Sequence, residues 1–424
     1  MNKLRSYAIS GLLLLSLLTV SDILAYPIDG YLISGIRRIL RLEMIQKGEI
    51  KDTPLLPGAL RSIDEIKLNL AGTAKADSLL TLPAPDSDFQ QTFLRLFPNL
   101  NESYSLALMD ITPGRPIRYA QRQELRGFQP GSVGKLAVIS GLFCELENLF
   151  PDSFEQRRNL LKTRMVRAGT WALTDEHTVP FFDPETLKFF KRQVNQNDVF
   201  SLYEWADHML SVSNNGAASV VWREAILMRV FGQAYLTLTE QEAENYFRTT
   251  PKPELSAIAV SVVNEPLRTL GITHEEWRLG QLFTRGATAY IPGKEGSIGT
   301  PQGLMKWMVA LESGRLIDAV SSLEIKRLMY MTDRRIRYAA NAQLKDAAVY
   351  FKSGSLYKCN RETMPNCGKY QGNVENFMNS VAIIEHPDGT TYLVALMSNV
   401  LRKNSNNDHN LLAGRIDQLV RATK

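Results

Sequence analysis

The 424-residue sequence is poor in the residues on which metal-dependent and histidine-dependent hydrolases rely, with five histidines and three cysteines. His177, His208, His274, His386 and His409 are scattered, and none has zinc-ligand spacing to another histidine or to a cysteine pair. Neither a metal nor a cofactor is therefore expected. No G-x-S-x-G run occurs, so the nucleophile elbow of a Ser-His-Asp hydrolase lacks its signal. Dense basic runs with interleaved aromatics are missing too, and 49 Lys and Arg against 44 Asp and Glu leave a net charge of only +5, which gives no pointer to nucleic acid. After the first 25 residues no stretch is long and apolar enough to span a bilayer.

What is present begins with residues 1–25, where Lys3 and Arg5 precede an apolar run from Ala8 to Val20 and Ala25 offers a small residue for cleavage. This resembles a secretory signal and implies a periplasmic or secreted product with no membrane domain left after cleavage. The cysteines agree with export. Cys359 and Cys367 sit in a segment rich in Asn, Gly and Pro, where a disulfide would close a short loop and contribute on the order of 2 to 3 kcal/mol. Cys144 falls within an apolar helical run and reads as a core residue.

Composition shifts divide the remainder into an N-terminal extension, 26–99, and a main region, 100–424. The extension contains "GIRRILRLEMIQKGEI", with Ile36, Ile39, Leu40 and Met44 near helical spacing and Arg37, Arg38 and Arg41 between them. Such a helix can pack on the main region or meet an acidic surface; packing is the simpler reading. The main region opens with two strand-like runs joined by Pro113-Gly114 and closes with two more around Asp388-Gly389, a strong hairpin signal. Between them the pattern is mostly helical. The fold expected is α/β of the α+β kind: one antiparallel sheet built from both ends of the region, flanked by helices, with an all-helical subdomain inserted.

Three polar clusters carry the chemistry. Ser132 and Lys135 stand three apart in "GSVGKLAVISGLFCELEN", a helix apolar on most of its circumference, so both project from one face at its start. Ser213, Asn214 and Asn215 interrupt two helical runs in "SVSNNGAAS". Lys352, Ser353 and Gly354 lie on the strand-like "YFKSGSLY" just before the cysteine loop. A serine attacks a carbonyl only when a neighbour takes its proton, and a lysine can do so only if burial or nearby cations depress its pKa. Lys352, brought opposite Lys135, is one source of such a depression.

Ser-x-x-K, Ser-x-Asn and Lys-Ser-Gly, in that order, resemble the signature of the class A β-lactamases and penicillin-binding proteins. "SNNGAAS" and "TPQGLMKWMVALESGRLID" also resemble class A segments, and the likeness runs from about Ser103 to the C-terminus. It implies a β-lactamase/transpeptidase-like fold and assigns catalysis to Ser132, Lys135, Ser213, Asn215 and Lys352. Ser353, Gly354 and Ser355 would bind substrate, and the backbone N–H groups of Ser132 and Ser355 would stabilise the oxyanion. The family's deacylating glutamate is harder to place. "PKPELS" resembles its Glu-x-Glu-Leu-Asn run, but Lys252 stands where the glutamate belongs and Ser256 replaces the asparagine, leaving Glu254 as a conditional base and Glu265 as a looser fit. Phe181, Phe182, Phe189 and Phe190 mark an insertion, read as a packed helix rather than a substrate groove. The function expected is a serine hydrolase acting on a β-lactam or related amide. Alternatives are a D,D-peptidase acting on peptidoglycan-derived peptides and a non-hydrolytic ligand sensor.

Overall fold

The computed structural model describes residues 26–79, 81–332 and 335–422. The export signal expected at 1–25 lies outside them. Five strands form the main sheet: β1 (Ser105–Asp110), β2 (Arg118–Arg122), β3 (Ala348–Lys358), β4 (Glu375–Glu385) and β5 (Thr391–Asn399). Their order is β2-β1-β5-β4-β3, antiparallel throughout, so both ends of the main region meet at the β1–β5 ladder, where Ser105 faces Met397 and Asp110 faces Tyr392. The two hairpins legible at Pro113-Gly114 and Asp388-Gly389 are both formed.

Period-two alternation gives the sheet two apolar faces. Ala107, Met109, Ile383, Leu393 and Met397 point to one core, and Leu106, Leu108, Ile384, Val394 and Leu396 to the other. The second face is covered by helices Ser87–Leu94, through Phe89 and Phe93, and Asn406–Ala422, through Leu412, Ile416 and Leu419 at helical spacing. On the first face helix Pro301–Glu312 packs on β1 and β5, and helix Lys135–Leu149 packs against Asn215–Phe231 and Lys252–Thr269. Lys352 follows Ala348 and Tyr350 in steps of two and so shares the face on which helix Lys135–Leu149 lies.

One expectation is corrected. The inserted part is not all-helical, because the aromatic run forms a hairpin, Thr178–Phe182 with Phe189–Gln193, rather than a helix. Alternating side chains and an Asp183-Pro184 turn suit strands, Phe181 stacks on Phe190 at 5.1 Å, and the Arg41 guanidinium lies over Phe189 at 3.8 Å. Residues 26–99, set apart by composition, are woven into both cores: Tyr26, Ile36, Ile39 and Leu42 are buried in one, Phe89, Phe93 and Phe97 in the other. The three arginines of helix Arg37–Gln46 are each paired within the chain, Arg37 with Glu204, Arg38 with Asp207 and Arg41 with Asp52. Arg61 pairs with Glu385 at 2.5 Å, and Glu385 also meets Lys326 at 2.6 Å beneath the sheet. Among the described residues no helix is long and apolar enough to cross a membrane.

Candidate active site

The helix carrying the first cluster starts with a tight 3₁₀ turn, Gly131–Gly134, and becomes α-helical at Lys135. Two glycines let this turn touch β3. Gly131 has φ +53°, and a Cβ on Gly354 would lie 2.2 Å from the Pro130 carbonyl oxygen and 3.1 Å from the Ser132 nitrogen. That close approach is what brings Ser132 beside the strand. Asn379 on β4 holds the same turn, its amide donating to the carbonyls of Gln129 (2.9 Å) and Pro130 (3.1 Å).

Lys135 is fully buried, and its Nζ donates to Ser132 Oγ (3.0 Å), Asn215 Oδ1 (2.7 Å) and the Ser213 carbonyl oxygen (2.5 Å). Asn214 caps helix Asn215–Phe231, its side chain accepting from Ala217 N, and Ser213 before it is held at φ +61°, a left-handed conformation that a serine adopts only under constraint. The constraint aims its hydroxyl at two lysines: Lys352 Nζ at 2.8 Å and Lys135 Nζ at 3.4 Å. Burial drives the Lys135 ammonium down to about 7, while the Asp175 carboxylate opposes the shift. Desolvation is thus the leading source of the depression. Near neutral pH the depressed Lys135 can therefore be present as a free amine able to accept a proton from Ser132.

Ser132, Asn215 and Ser355 open into a cleft of about 270 Å³. Lys135 and Lys352 are buried behind them. Gly354 is buried against the Ser132 turn, and the half-buried Ser353 contributes its carbonyl as an acceptor for Lys352 Nζ at 3.0 Å. Sequence reasoning missed Arg337. Its guanidinium donates to the Gly354 carbonyl oxygen (2.8 Å) and Ser355 Oγ (3.1 Å), adding positive charge where β3 meets the cleft. No motif surrounds it in "RRIRYAA", so no local signal separates it from its neighbours.

Residues 166–422 match the model of the Beta-lactamase enzyme family. The chain belongs to that family. The matched span begins after Ser132 and Lys135, so geometry alone joins those two to the rest of this β-lactamase-family site. No curated protein matches the chain. Among solved structures, a β-lactamase from Chitinophaga pinensis is similar in fold, with a TM-score of 0.51 and 13% identity over 80% of this chain and 100% of that one. A β-lactamase from Sphaerobacter thermophilus gives 0.48 and 14% over 79% and 95%.

In this family member the conditional deacylation base is not brought to the cleft. "PKPELS" is not a loop: Pro251 and Pro253 start helix Lys252–Thr269, leaving Glu254 exposed on its first turn and Lys252 donating to the Tyr290 carbonyl at 2.5 Å. Glu265 pairs with Arg229 at 2.7 Å, also away from the cleft. The segment that does reach the cleft supplies Leu279, Gln281, Leu282 and Phe283, and the Phe283 ring lies 5.2 Å from Lys135 Nζ. Among the described residues lining the cleft, Glu176 is the one carboxylate, and it stands 78% exposed at the mouth, 3.9 Å from Lys369.

Cys359 and Cys367 are bonded, and the chain leaving their loop forms one wall through Lys369 and Tyr370, the latter packed edge-on against Tyr357 at 5.7 Å. A larger cavity, about 750 Å³, lies elsewhere between Trp171, Phe247 and Tyr290 and contains none of the serine-lysine groups.

Proposed function

We propose that this β-lactamase-family serine hydrolase acylates Ser132 with β-lactams and related peptide amides and releases the acyl group slowly, behaving as a penicillin-binding D,D-peptidase more than as a fast β-lactamase. The observation that carries the reading is the apolar Phe283 beside Lys135, with the cleft's one described carboxylate out at the mouth. Ser132 Oγ attacks the carbonyl as its proton passes to the Lys135 amine, and the C–O bond forms with the negative charge on the former carbonyl oxygen. The backbone N–H groups of Ser132 and Ser355 would receive that charge; single donors of this kind are typically worth about 3 kcal/mol. As the C–N bond breaks, the departing nitrogen takes a proton from Ser213, which is resupplied by Lys135 3.4 Å away. Lys352 and Arg337 supply the positive charge suited to a substrate carboxylate. Water must then cleave the ester with no free carboxylate in the cleft beside Ser132, since Asp175 lies behind Asn215 with its oxygens taken by hydrogen bonds, so this step is slow.

The charged start and apolar run of residues 1–25, together with the Cys359–Cys367 bond, support export to an oxidising compartment. Intact-protein mass spectrometry after mixing with benzylpenicillin tests the catalytic proposal. A penicilloyl adduct lasting hours on wild type and absent from Ser132→Ala is the expected result. Turnover within seconds would replace it with a true β-lactamase, and binding without an adduct would favour a sensor.

A further inference from the structure

Asp175 belongs to none of the three sequence clusters, yet it makes the densest set of contacts around them. Its side chain is 3% exposed and accepts from five donors: Asn215 N (2.5 Å), Gly216 N (3.3 Å), Asn215 Nδ2 (3.2 Å), His177 N (3.1 Å) and His177 Nδ1 (2.6 Å). Two of these are free backbone N–H groups at the start of helix Asn215–Phe231, a natural seat for an anion. A third, Asn215 Nδ2, belongs to the amide that touches Lys135, and the remaining two come from His177.

A carboxylate can only accept and an ammonium can only donate, so an amide between them has one orientation that satisfies both. Asn215 is in that place: Nδ2 donates to Asp175 and Oδ1 accepts from Lys135 at 2.7 Å. We infer that Asp175 is a positioning residue, fixing the Asn215 amide with its oxygen toward Lys135 and linking that arrangement, through His177, to the cleft mouth. His177 lines the cleft with a side chain 34% exposed, so the carboxylate is covered by a group that solvent and substrate can reach. Without Asp175 the amide could turn its NH₂ toward the ammonium, and the last counter-charge near Lys135 would be gone.

The charges facing this unit are few. Lys135 is met by Ser132, Ser213, Asn215, the Phe283 ring and Asp175; Asp175 is met by His177 and Lys135. Glu176 and Lys369 pair at the mouth, and Lys352 lies across Ser213. Burial pushes the Asp175 carboxyl up, but the His177 hydrogen bond and the charges of His177 and Lys135 outweigh it and hold it below the usual carboxylate range. It therefore stays ionised while Lys135 titrates, and its negative charge favours the protonated lysine.

The inference rests on the acyl-serine reading above, so its test has one readout that needs no activity. The titration of Lys135 is followed by NMR of the labelled lysine Cε in wild type, Asp175→Asn and His177→Gln, with Lys135→Met for assignment, and penicillin acylation rates are measured over the same pH range. In Asp175→Asn the Lys135 midpoint and the acid limb of acylation both move to lower pH, and the rate on the alkaline plateau falls at least tenfold. In His177→Gln, which alters a partly exposed side chain and serves if the first variant does not fold, the midpoint also moves, by a smaller step, because Asp175 loses one of its donors. Midpoints unchanged in both variants would overturn the inference. A wild type that fails to acylate while the midpoints still move would sink the acyl-serine reading and leave the positioning role standing.

Discussion

The hydroxyl of Ser213 stands between two lysine ammonium groups, 2.8 Å from Lys352 and 3.4 Å from Lys135, on a residue whose backbone is left-handed. Its oxygen contacts both lysines, which suits the proposed relay of a proton from Ser132 to the departing nitrogen. Ser213→Ala is expected to leave penicillin binding within a few-fold and to slow acylation by roughly 10²- to 10⁴-fold, the usual range for a lost acid–base group. Stopped-flow acylation at several penicillin concentrations separates the two effects.

In the proposed mechanism acylation follows the free amine of Lys135. Burial lowers its pKa to about 7, so acylation is expected to rise with pH through about 7 and level off above it. The sign for stability is the same. An unfolded lysine titrates near 10.4, so between about pH 7 and 10 the unfolded chain binds more protons than the folded one, and this group's contribution to stability increases with pH. Replacing Lys135 with Met removes that contribution, so the difference between the two proteins in urea midpoint versus pH isolates it.

Phe283 occupies the flank of Lys135. Phe283→Glu is expected to shorten the lifetime of the penicilloyl adduct at least tenfold by supplying a base for water. A new carboxylate beside the buried ammonium also favours its protonated form, so the acid limb of acylation shifts to higher pH. Mass spectrometry of the decaying adduct measures the first effect, and a lifetime equal to wild type would show that Phe283 does not limit deacylation.

Arg38 and Asp207 form an ion pair with side chains 1% and 0% exposed, joining the N-terminal segment to the helical part. Arg38→Ala leaves a buried carboxylate without its partner and is expected to cost about 3–5 kcal/mol. Urea unfolding checks this. A loss under 1 kcal/mol would mean that this buried pair does not help hold the N-terminal segment to the helical part.

The serine-lysine cluster was legible in the sequence because each of its residues lies in a short motif whose local structure is forced. Ser132 and Lys135 share a helix start, Asn215 begins a capped helix, and Lys352 alternates correctly on its strand. Asp175 and Arg337 were not legible, since one reaches the site from a loop and the other from the start of the short 3₁₀ turn Arg337–Ala340, and both owe their place to tertiary packing. Glu254 misled because a run that resembles the family's glutamate segment has two prolines that start a surface helix here. The phenylalanine insertion misled through helical surroundings, whereas Thr178–Phe182 and Phe189–Gln193 hold each other by cross-strand aromatic contact.

The β1–β5 ladder joins residues 105–110 to residues 392–397, nearly the whole length of the main region apart. A ribosome releases the first partner long before the second, and during that interval β1 and β2 have no third strand to pair with. Such distant pairing is slow to form because the intervening chain must be closed first. Lys352 waits as well, because its strand joins the sheet only through β4. A chain interrupted before Thr391 would therefore carry Ser132, Ser213 and Lys352 in its covalent structure with no sheet to assemble them, so unfinished protein should be silent toward penicillin and a ready substrate for proteases.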